Sequence, residues 1–249
     1  MTDEVKTNAM SIGDMFKPKK WGVGAKREEA QKILNELDPQ TMPQKLAIVF
    51  DDSGSMATAT ESGGKPKIED AKSGIRNFSS SCNPRDTSIA VYPLNVNHKA
   101  LTCNFDLLNL LVASINATGG TPLYTKTIDM LKSPDNYSRG ILFSDGEPTD
   151  GSSGYYMEEE DREQNNDPKE RMIELAKSKK TPLDTIFLGE APSRGYDLMK
   201  EIADRTGGIF IHFKDSSSLA ANLKYLAPAL RGVLMNAELK AKIERGESI

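Results

Sequence analysis

Apolar positions along the chain switch repeatedly between the two spacings that are typical of strands and of helices. Continuous or alternating apolar residues predict strands at 46–50, 87–94, 139–145, 181–189 and 207–213, with a weaker, edge-type strand at 99–105. Apolar residues that recur every three or four positions predict helices at 66–80, 106–116, 122–132, 168–179 and 196–205. This alternation predicts an α/β fold with a doubly wound, mostly parallel central sheet and helices on both faces.

Two helices and one long loop are predicted outside this regular alternation. The stretch KREEAQKILNEL (26–37) has the spacing of a short amphipathic helix inside an N-terminal arm. The chain from Ser216 onward also has a helical pattern, which Pro228 interrupts. Between the strand at 139–145 and the next helix, a polar loop carries the acidic run EEEDRE, which is typical of a solvated segment.

Composition and charge argue against several classes of protein, among them nucleic-acid-binding, membrane-spanning and zinc-binding proteins. The 249 residues carry a formal net charge of −4, which argues against a surface built for nucleic acid. The first residues do not form a secretory signal, and no stretch approaches the ~18–20 apolar residues that span a bilayer. We therefore expect a cytoplasmic protein that binds neither membrane nor nucleic acid. Two cysteines and two histidines, in no metal-binding spacing, argue against a zinc site, so any metal would be held by oxygen.

Three oxygen-rich turns follow strands or precede a helix in the predicted fold. They are DDSGS (51–55), GGTP (119–122) and SDGEP (144–148). In open α/β sheets, ligands bind at the carboxyl ends of the strands, near a switch in strand order, so these turns are expected to face one crevice. Carboxylates combined with hydroxyl oxygens favour a hard cation such as Mg²⁺.

The order and spacing of these turns carry a resemblance to a known family. Asp51, Ser53 and Ser55 form the pattern D-x-S-x-S, and GGTP and FSDGEPTD (143–150) follow it. This set resembles the metal-ion-dependent adhesion site (MIDAS) of von Willebrand factor type A (VWA) domains. The resemblance implies an N-terminal arm with a short helix at 1–44, a VWA domain at 45–227 and a C-terminal helical extension at 228–249.

The resemblance also implies a role for each of five metal-site residues. Ser53 and Ser55 would bind the metal directly, and Thr121 would bind it directly or through a water. Asp51 and Asp145 would act largely through bound waters and would balance the charge of the metal. The implied metal is Mg²⁺, with Mn²⁺ or Ca²⁺ as alternatives.

Two residues of the first turn have no metal-binding role in this pattern. Asp52 is expected to tune the charge at the rim of the site or to cap the segment that follows. Gly54 is expected to let the turn close.

The implied function is recognition. A divalent-metal-dependent adaptor module would capture a glutamate or aspartate of a partner protein through the MIDAS metal, with an AAA-type ATPase or an assembly component as the candidate partner. Where the family switches, metal coordination is coupled to a shift of the last helix, which here would start near Ser216.

Other readings of the same turns remain open. The alternative hypothesis is a structural or assembly component of a larger complex, in which the domain serves as an interaction hub. A metal-dependent phosphatase or hydrolase is disfavoured, because a dehalogenase-type phosphatase needs a second acid two residues after its nucleophile and position 53 is serine. The chain contains neither G-x-G-x-x-G after its first strand nor the G-x-x-x-x-G-K-[ST] phosphate loop, so we expect no enzymatic activity.

Overall fold

The computed structural model describes residues 44–59, 64–96, 101–150 and 167–214. In these ranges the elements are β1 (Gln44–Phe50), α1 (Lys67–Ser80), β2 (Thr87–Pro93), α2 (Phe105–Ala113), α3 (Leu123–Lys132), β3 (Arg139–Ser144), α4 (Pro168–Lys179), β4 (Leu183–Leu188), α5 (Arg194–Thr206) and β5 (Phe210–Phe213). A 3₁₀ turn, Gly54–Ala57, follows β1. None of the helices in these ranges is long and apolar enough to span a bilayer. The helices expected at 26–37 and from Ser216 lie outside the described residues, as does the acidic run.

The five strands form one sheet in the order β2-β1-β3-β4-β5, and every neighbouring pair is parallel. This confirms the predicted α/β class. Strand β2 lies on one side of β1 and β3 lies on the other, so the direction of winding reverses at β1. The switch point, where ligands bind in such sheets, therefore lies between the carboxyl ends of β1 and β3.

Strand β1 shows why the sequence LAIVF is continuously apolar. Leu46, Ile48 and Phe50 pack on one face of the sheet with α1 and α2, while Ala47 and Val49 pack on the other face with α3, α4 and α5. All five side chains are fully buried. Burial of each large side chain stabilises the fold by about 1.5–3 kcal/mol. The buried strand therefore fixes the position at which the next loop begins.

The strand expected at 99–105 is wrong. Residues 99 and 100 lie outside the described part of the chain, and the rest forms a single antiparallel bridge between Thr102 and Ile89. The Asn104 side chain accepts a hydrogen bond from the Leu107 N–H at 3.1 Å and so caps α2, which begins at Phe105. The last two residues of the expected strand, Asn104 and Phe105, thus belong to the start of a helix.

Candidate metal site

Asp51 links the carboxyl ends of β1 and β3. Its side chain is fully buried directly after β1. One carboxylate oxygen accepts the Ser53 N–H at 2.9 Å, and the other accepts the hydroxyl of Ser144, the last residue of β3, at 2.6 Å. Burial raises the pKa of Asp51, and the hydrogen bonds from Ser144 and Ser53 oppose that shift. Asp51 is thus a buried acid, and hydrogen bonds from Ser53 and Ser144 orient its two carboxylate oxygens.

The two serines of the D-x-S-x-S pattern reach the acid at the end of β3. Ser53 Oγ lies 3.0 Å from Ser55 Oγ, and the Ser55 hydroxyl donates to Asp145 Oδ1 at 2.7 Å. The 3₁₀ turn holds both serines in place, since the Met56 N–H donates to the Ser53 carbonyl and the Met56 side chain is fully buried. The sequence pattern therefore folds into one hydrogen-bonded cluster of hydroxyl and carboxylate oxygens.

Lys67 is a member of this cluster that the sequence analysis missed. Its ammonium group lies 2.7 Å from Asp145 Oδ2, and the side chains of Lys67 and Asp145 are 17% and 1% exposed. Lys67 is the first residue of α1, where a positive charge opposes the helix dipole. That unfavourable position was the available signal that the lysine has a nearby anionic partner.

Thr121 lies on the neighbouring loop. The Gly54 N–H donates to the Gly119 carbonyl at 3.1 Å, which places the GGTP loop against the D-x-S-x-S turn. Thr121 itself is 6% exposed. Among the described residues, no hydrogen bond joins its hydroxyl to the other four predicted site residues. The structure thus links those four directly, and a backbone hydrogen bond joins the loop that carries Thr121 to the D-x-S-x-S turn.

The loop after β3 fixes the position of Thr121. The Thr121 N–H donates to Thr149 Oγ1 at 3.0 Å, and the Thr149 N–H donates to the Thr121 carbonyl at 2.9 Å. Pro122 stands at the start of α3 without a side-chain cap, and Asp150 supplies one from this second loop by accepting the Thr125 N–H at 2.7 Å. Thr149 and Asp150 belong to the stretch FSDGEPTD, from which the sequence analysis used only Asp145.

The expectation for Asp52 is corrected. It neither lies at the rim nor caps the next segment, because its side chain is fully buried and points to the loop after β2. Asp52 Oδ1 accepts the Asn95 backbone N–H at 2.9 Å and the Asn95 side-chain amide at 3.0 Å. Its other oxygen has no hydrogen-bond partner among the described residues. Burial raises the pKa of Asp52, and the two bonds from Asn95 oppose the rise.

The glycine that this site requires is Gly119. A Cβ atom on Gly54 would meet only the Gly119 carbonyl, at an ordinary contact distance of 3.7 Å, so Gly54 is not needed for the turn to close. Gly119 has a φ of +73°, and a Cβ atom there would lie 2.8 Å from Cγ of Asn95. Asn95 also donates to the Gly120 carbonyl at 2.9 Å, so it ties this loop to Asp52.

The oxygens gathered here fit a hard divalent cation. Two carboxylates balance a double positive charge, and the serine and threonine hydroxyls add neutral oxygens. The cluster also attracts positive charge in the structure itself, since the Lys67 ammonium binds Asp145. Within the described ranges, no group of three or more His, Cys, Asp or Glu side chains is placed to hold a metal. A metal at this position would therefore depend on the hydroxyl ligands.

Comparison with known proteins supports the fold. No protein-family model and no curated protein matches the chain. Among solved structures, it is similar to a von Willebrand factor type A protein from Catenulispora acidiphila, with 17% identity and a TM-score of 0.57 over 77% of this chain and 43% of that one. It is also similar to the vWF domain of the type V pili tip protein Mfa5 from Porphyromonas gingivalis, with 14% identity and a TM-score of 0.57 over 79% of this chain and 98% of that one.

A third similar structure is the SpRpn10 VWA domain, with 15% identity and a TM-score of 0.51 over 78% of this chain and 100% of that one. The chain thus spans whole VWA domains but less than half of the Catenulispora acidiphila protein. At these identities the likeness shows the fold, and the chain has the VWA fold.

Proposed function

We propose that this chain is a divalent-metal-dependent protein-binding module. Ser53, Ser55 and Thr121 supply hydroxyl ligands, and Asp51 and Asp145 balance the charge of the metal. The observation that carries the proposal is the hydrogen-bonded cluster of Ser53, Ser55 and Asp145 at the switch point of a VWA fold. The proposed ion is Mg²⁺, with Mn²⁺ or Ca²⁺ as alternatives.

The five residues would hold such an ion and would leave it able to bind one more anionic ligand. A bound divalent ion supplies an electrophilic position to which a carboxylate can bind. The serine hydroxyls contribute oxygen without charge, so Asp51 and Asp145 together only neutralise the ion. A glutamate or aspartate from a partner protein then forms a charge-assisted, directional contact at the centre of the interface.

The setting of Asp51 favours recognition over catalysis. A carboxylate nucleophile needs an accessible oxygen, but Asp51 is fully buried and both of its oxygens accept hydrogen bonds. Two residues later, where a dehalogenase-type phosphatase has its acid, stands Ser53. The proposed role is therefore that of a non-enzymatic adaptor.

The partner is proposed by its chemistry, as a protein that presents an exposed acidic side chain. One structural neighbour is a domain of a pilus tip protein, and another is the VWA domain of SpRpn10, so the fold serves in more than one protein setting. The resemblance to VWA domains makes an AAA-type ATPase or an assembly component the class to test first.

Metal binding is the first test. Mn²⁺ bound to the purified full chain is measured by electron paramagnetic resonance, and competition by Mg²⁺ gives the affinity for that ion. Ser53→Ala is expected to weaken Mn²⁺ binding by roughly tenfold or more, because a direct ligand is lost. Ser80→Ala, which removes an exposed hydroxyl at the end of α1, is the matched control. Equal affinities for wild type and Ser53→Ala would show that the site is assigned wrongly.

Partner capture is the second test. Immobilised wild type is expected to retain a protein partner from a lysate of the source organism in Mg²⁺ and to release it in EDTA. The double variant Asp51→Ala, Ser53→Ala should retain none. Metal-stimulated hydrolysis of p-nitrophenyl phosphate that disappears in Asp51→Asn would instead identify an enzyme.

A further inference from the structure

Lys67 bonds to the same carboxylate that the proposed metal would use. We propose that its ammonium group competes with the divalent ion for Asp145 and thereby sets the affinity of the site for metal. This inference rests on the metal-binding function proposed above. It assigns to a lysine of α1 a role that the D-x-S-x-S pattern does not contain.

Both carboxylate oxygens of Asp145 are occupied by the protein itself. Oδ1 accepts the Ser55 hydroxyl and Oδ2 accepts the Lys67 ammonium, each at 2.7 Å. The Asp145 side chain is 1% exposed, so no open flank of the carboxylate remains for an ion or for a water bound to that ion. Ser55 is itself a proposed metal ligand and can stay beside the ion. The group that must give way is therefore Lys67.

The backbone of Lys67 is fixed, but its side chain is free to leave. The Lys67 N–H donates to the Thr58 carbonyl at 3.0 Å, and Ala59 and Pro66 form an antiparallel bridge just before it. The side chain is a flexible four-carbon stem that is 17% exposed, so the ammonium group has a route to solvent. Displacement of Lys67 thus requires rotation of one side chain and no movement of α1.

Charge balance gives the direction of the effect. Asp51 and Asp145 are attractive to a divalent ion, and the Lys67 ammonium cancels one of their two negative charges. An ion that binds here must break the Lys67–Asp145 pair and then remain close to a positive charge. Removal of the lysine charge should therefore tighten divalent binding, although it deletes a contact at the site.

The test compares two replacements of Lys67 with a control replacement at a nearby exposed lysine. Lys67→Met keeps most of the stem and removes the charge, Lys67→Arg keeps the charge, and Lys65→Met removes an exposed lysine two positions earlier. Mn²⁺ affinity is measured by electron paramagnetic resonance, and the melting temperature is measured in EDTA and in Mn²⁺. Lys67→Gln replaces Lys67→Met if the latter does not fold.

Lys67→Met is expected to bind Mn²⁺ on the order of tenfold more tightly than wild type, while Lys67→Arg and Lys65→Met stay close to wild type. In EDTA its melting temperature should fall, because the buried Asp145 carboxylate then lacks its counter-ion, and Mn²⁺ should restore it. Binding by Lys67→Met alone would be the strongest support. Equal or weaker binding by Lys67→Met would overturn the competition while leaving the site intact. Absence of binding in all four proteins would overturn the metal site as well.

Discussion

At the scale of single residues, Asp51 and Asp52 are neighbours in the chain with opposite surroundings. Both are fully buried. Asp51 faces β3, where Ser144 binds it, and Asp52 faces the loop after β2, where Asn95 binds it. The first therefore belongs to the proposed metal site, and the second joins the loop after β1 to the loop after β2.

Neutral replacements should separate these two acids. Asp51→Asn is expected to weaken Mn²⁺ binding by roughly tenfold or more, because a charge that balances the ion is lost. Asp52→Asn should leave Mn²⁺ affinity much closer to wild type, since its amide oxygen can still accept both bonds from Asn95. Mn²⁺ titration of the two variants side by side is the measurement. A larger loss in Asp52→Asn would contradict the assignment of Asp51.

The same Asp52→Asn variant has a predictable pH dependence. Burial raises the pKa of Asp52, so its ionised form costs stability at pH values above the ordinary pKa of about 4. The amide has no such cost. The free energy of unfolding of Asp52→Asn relative to wild type should therefore increase as the pH rises from about 4 to 7. Urea unfolding across that range checks the sign, and a constant difference would show that the Asp52 charge is not penalised.

Gly119 is expected to be the least replaceable residue of the GGTP loop. Gly119→Ala places a Cβ atom against the Asn95 side chain and forces alanine to a φ of +73°. The cost should be about 1–3 kcal/mol. Gly146→Ala is the control, because a Cβ atom there meets nothing within 4 Å. Thermal unfolding of both variants decides the matter, and equal melting temperatures would count against the tight packing of Gly119 on Asn95.

The spacing of the D-x-S-x-S pattern and of the later SDGEP turn predicts which oxygen-bearing side chains lie together. Ser53, Ser55 and Asp145 come together as the pattern predicts. Lys67 and Asn95 could not be found in this way, because their partners lie on other loops and depend on how those loops pack. The Lys67–Asp145 pair, for example, joins residues 78 positions apart.

At the scale of elements, the spacing of apolar residues predicted the strands and helices that bury one or both faces. The strands LAIVF and RGILFS and the helix at 168–179 were found because each buries its apolar side chains against the sheet or helices. The strand predicted at 99–105 is wrong, because the spacing of apolar residues does not reveal that Asn104 caps a helix. Asn104 binds the Leu107 N–H and begins a helix where the apolar pattern favoured a strand.

Two hydrogen bonds between Thr121 and Thr149 join the GGTP loop to the loop after β3, and loss of one of them should have a measurable effect. Thr149→Val removes the hydroxyl that accepts the Thr121 N–H, while the bond from the Thr149 N–H to the Thr121 carbonyl stays. The expected loss is about 0.5–1.5 kcal/mol of stability. Mn²⁺ binding should also weaken several-fold, because Thr121 is no longer held beside the other ligands.

Thr149→Ser keeps the hydroxyl and serves as the matched control. Urea unfolding and Mn²⁺ titration should place it close to wild type. If Thr149→Ser lowered Mn²⁺ affinity and Thr149→Val did not, the methyl group and not the hydrogen bond would position Thr121.

At the scale of the whole molecule, the sheet separates stability from binding. The proposed site lies at the carboxyl ends of β1 and β3. At the opposite ends, Arg139 of β3 forms two bonds with Asp184 of β4, at 2.6 and 2.8 Å, and Asp184 also accepts the Ile209 N–H at 2.8 Å. Asp184 is fully buried, so this ion pair joins β3 and β4 in the interior, near the amino ends of the strands.

Arg139→Met should therefore change stability without changing metal binding. It leaves Asp184 buried without its partner, which typically costs about 3–5 kcal/mol. Burial raises the pKa of Asp184 and Arg139 opposes the rise, so without the arginine the carboxylate is penalised further. A raised folded-state pKa costs stability above the ordinary pKa, and the loss should shrink as the pH falls from 7 toward about 4.

The double variant Arg139→Met, Asp184→Asn, whose amide oxygen can still accept the Ile209 N–H, tests the cause of that loss. It removes both charges from the interior, so most of the stability lost in Arg139→Met should return at pH 7 and its pH dependence should disappear. Mn²⁺ affinity, measured at a temperature where all variants are folded, should equal that of wild type throughout. A weaker Mn²⁺ affinity in Arg139→Met would show that the two ends of the sheet are coupled, because no described contact of Arg139 reaches the Ser53–Ser55–Asp145 cluster.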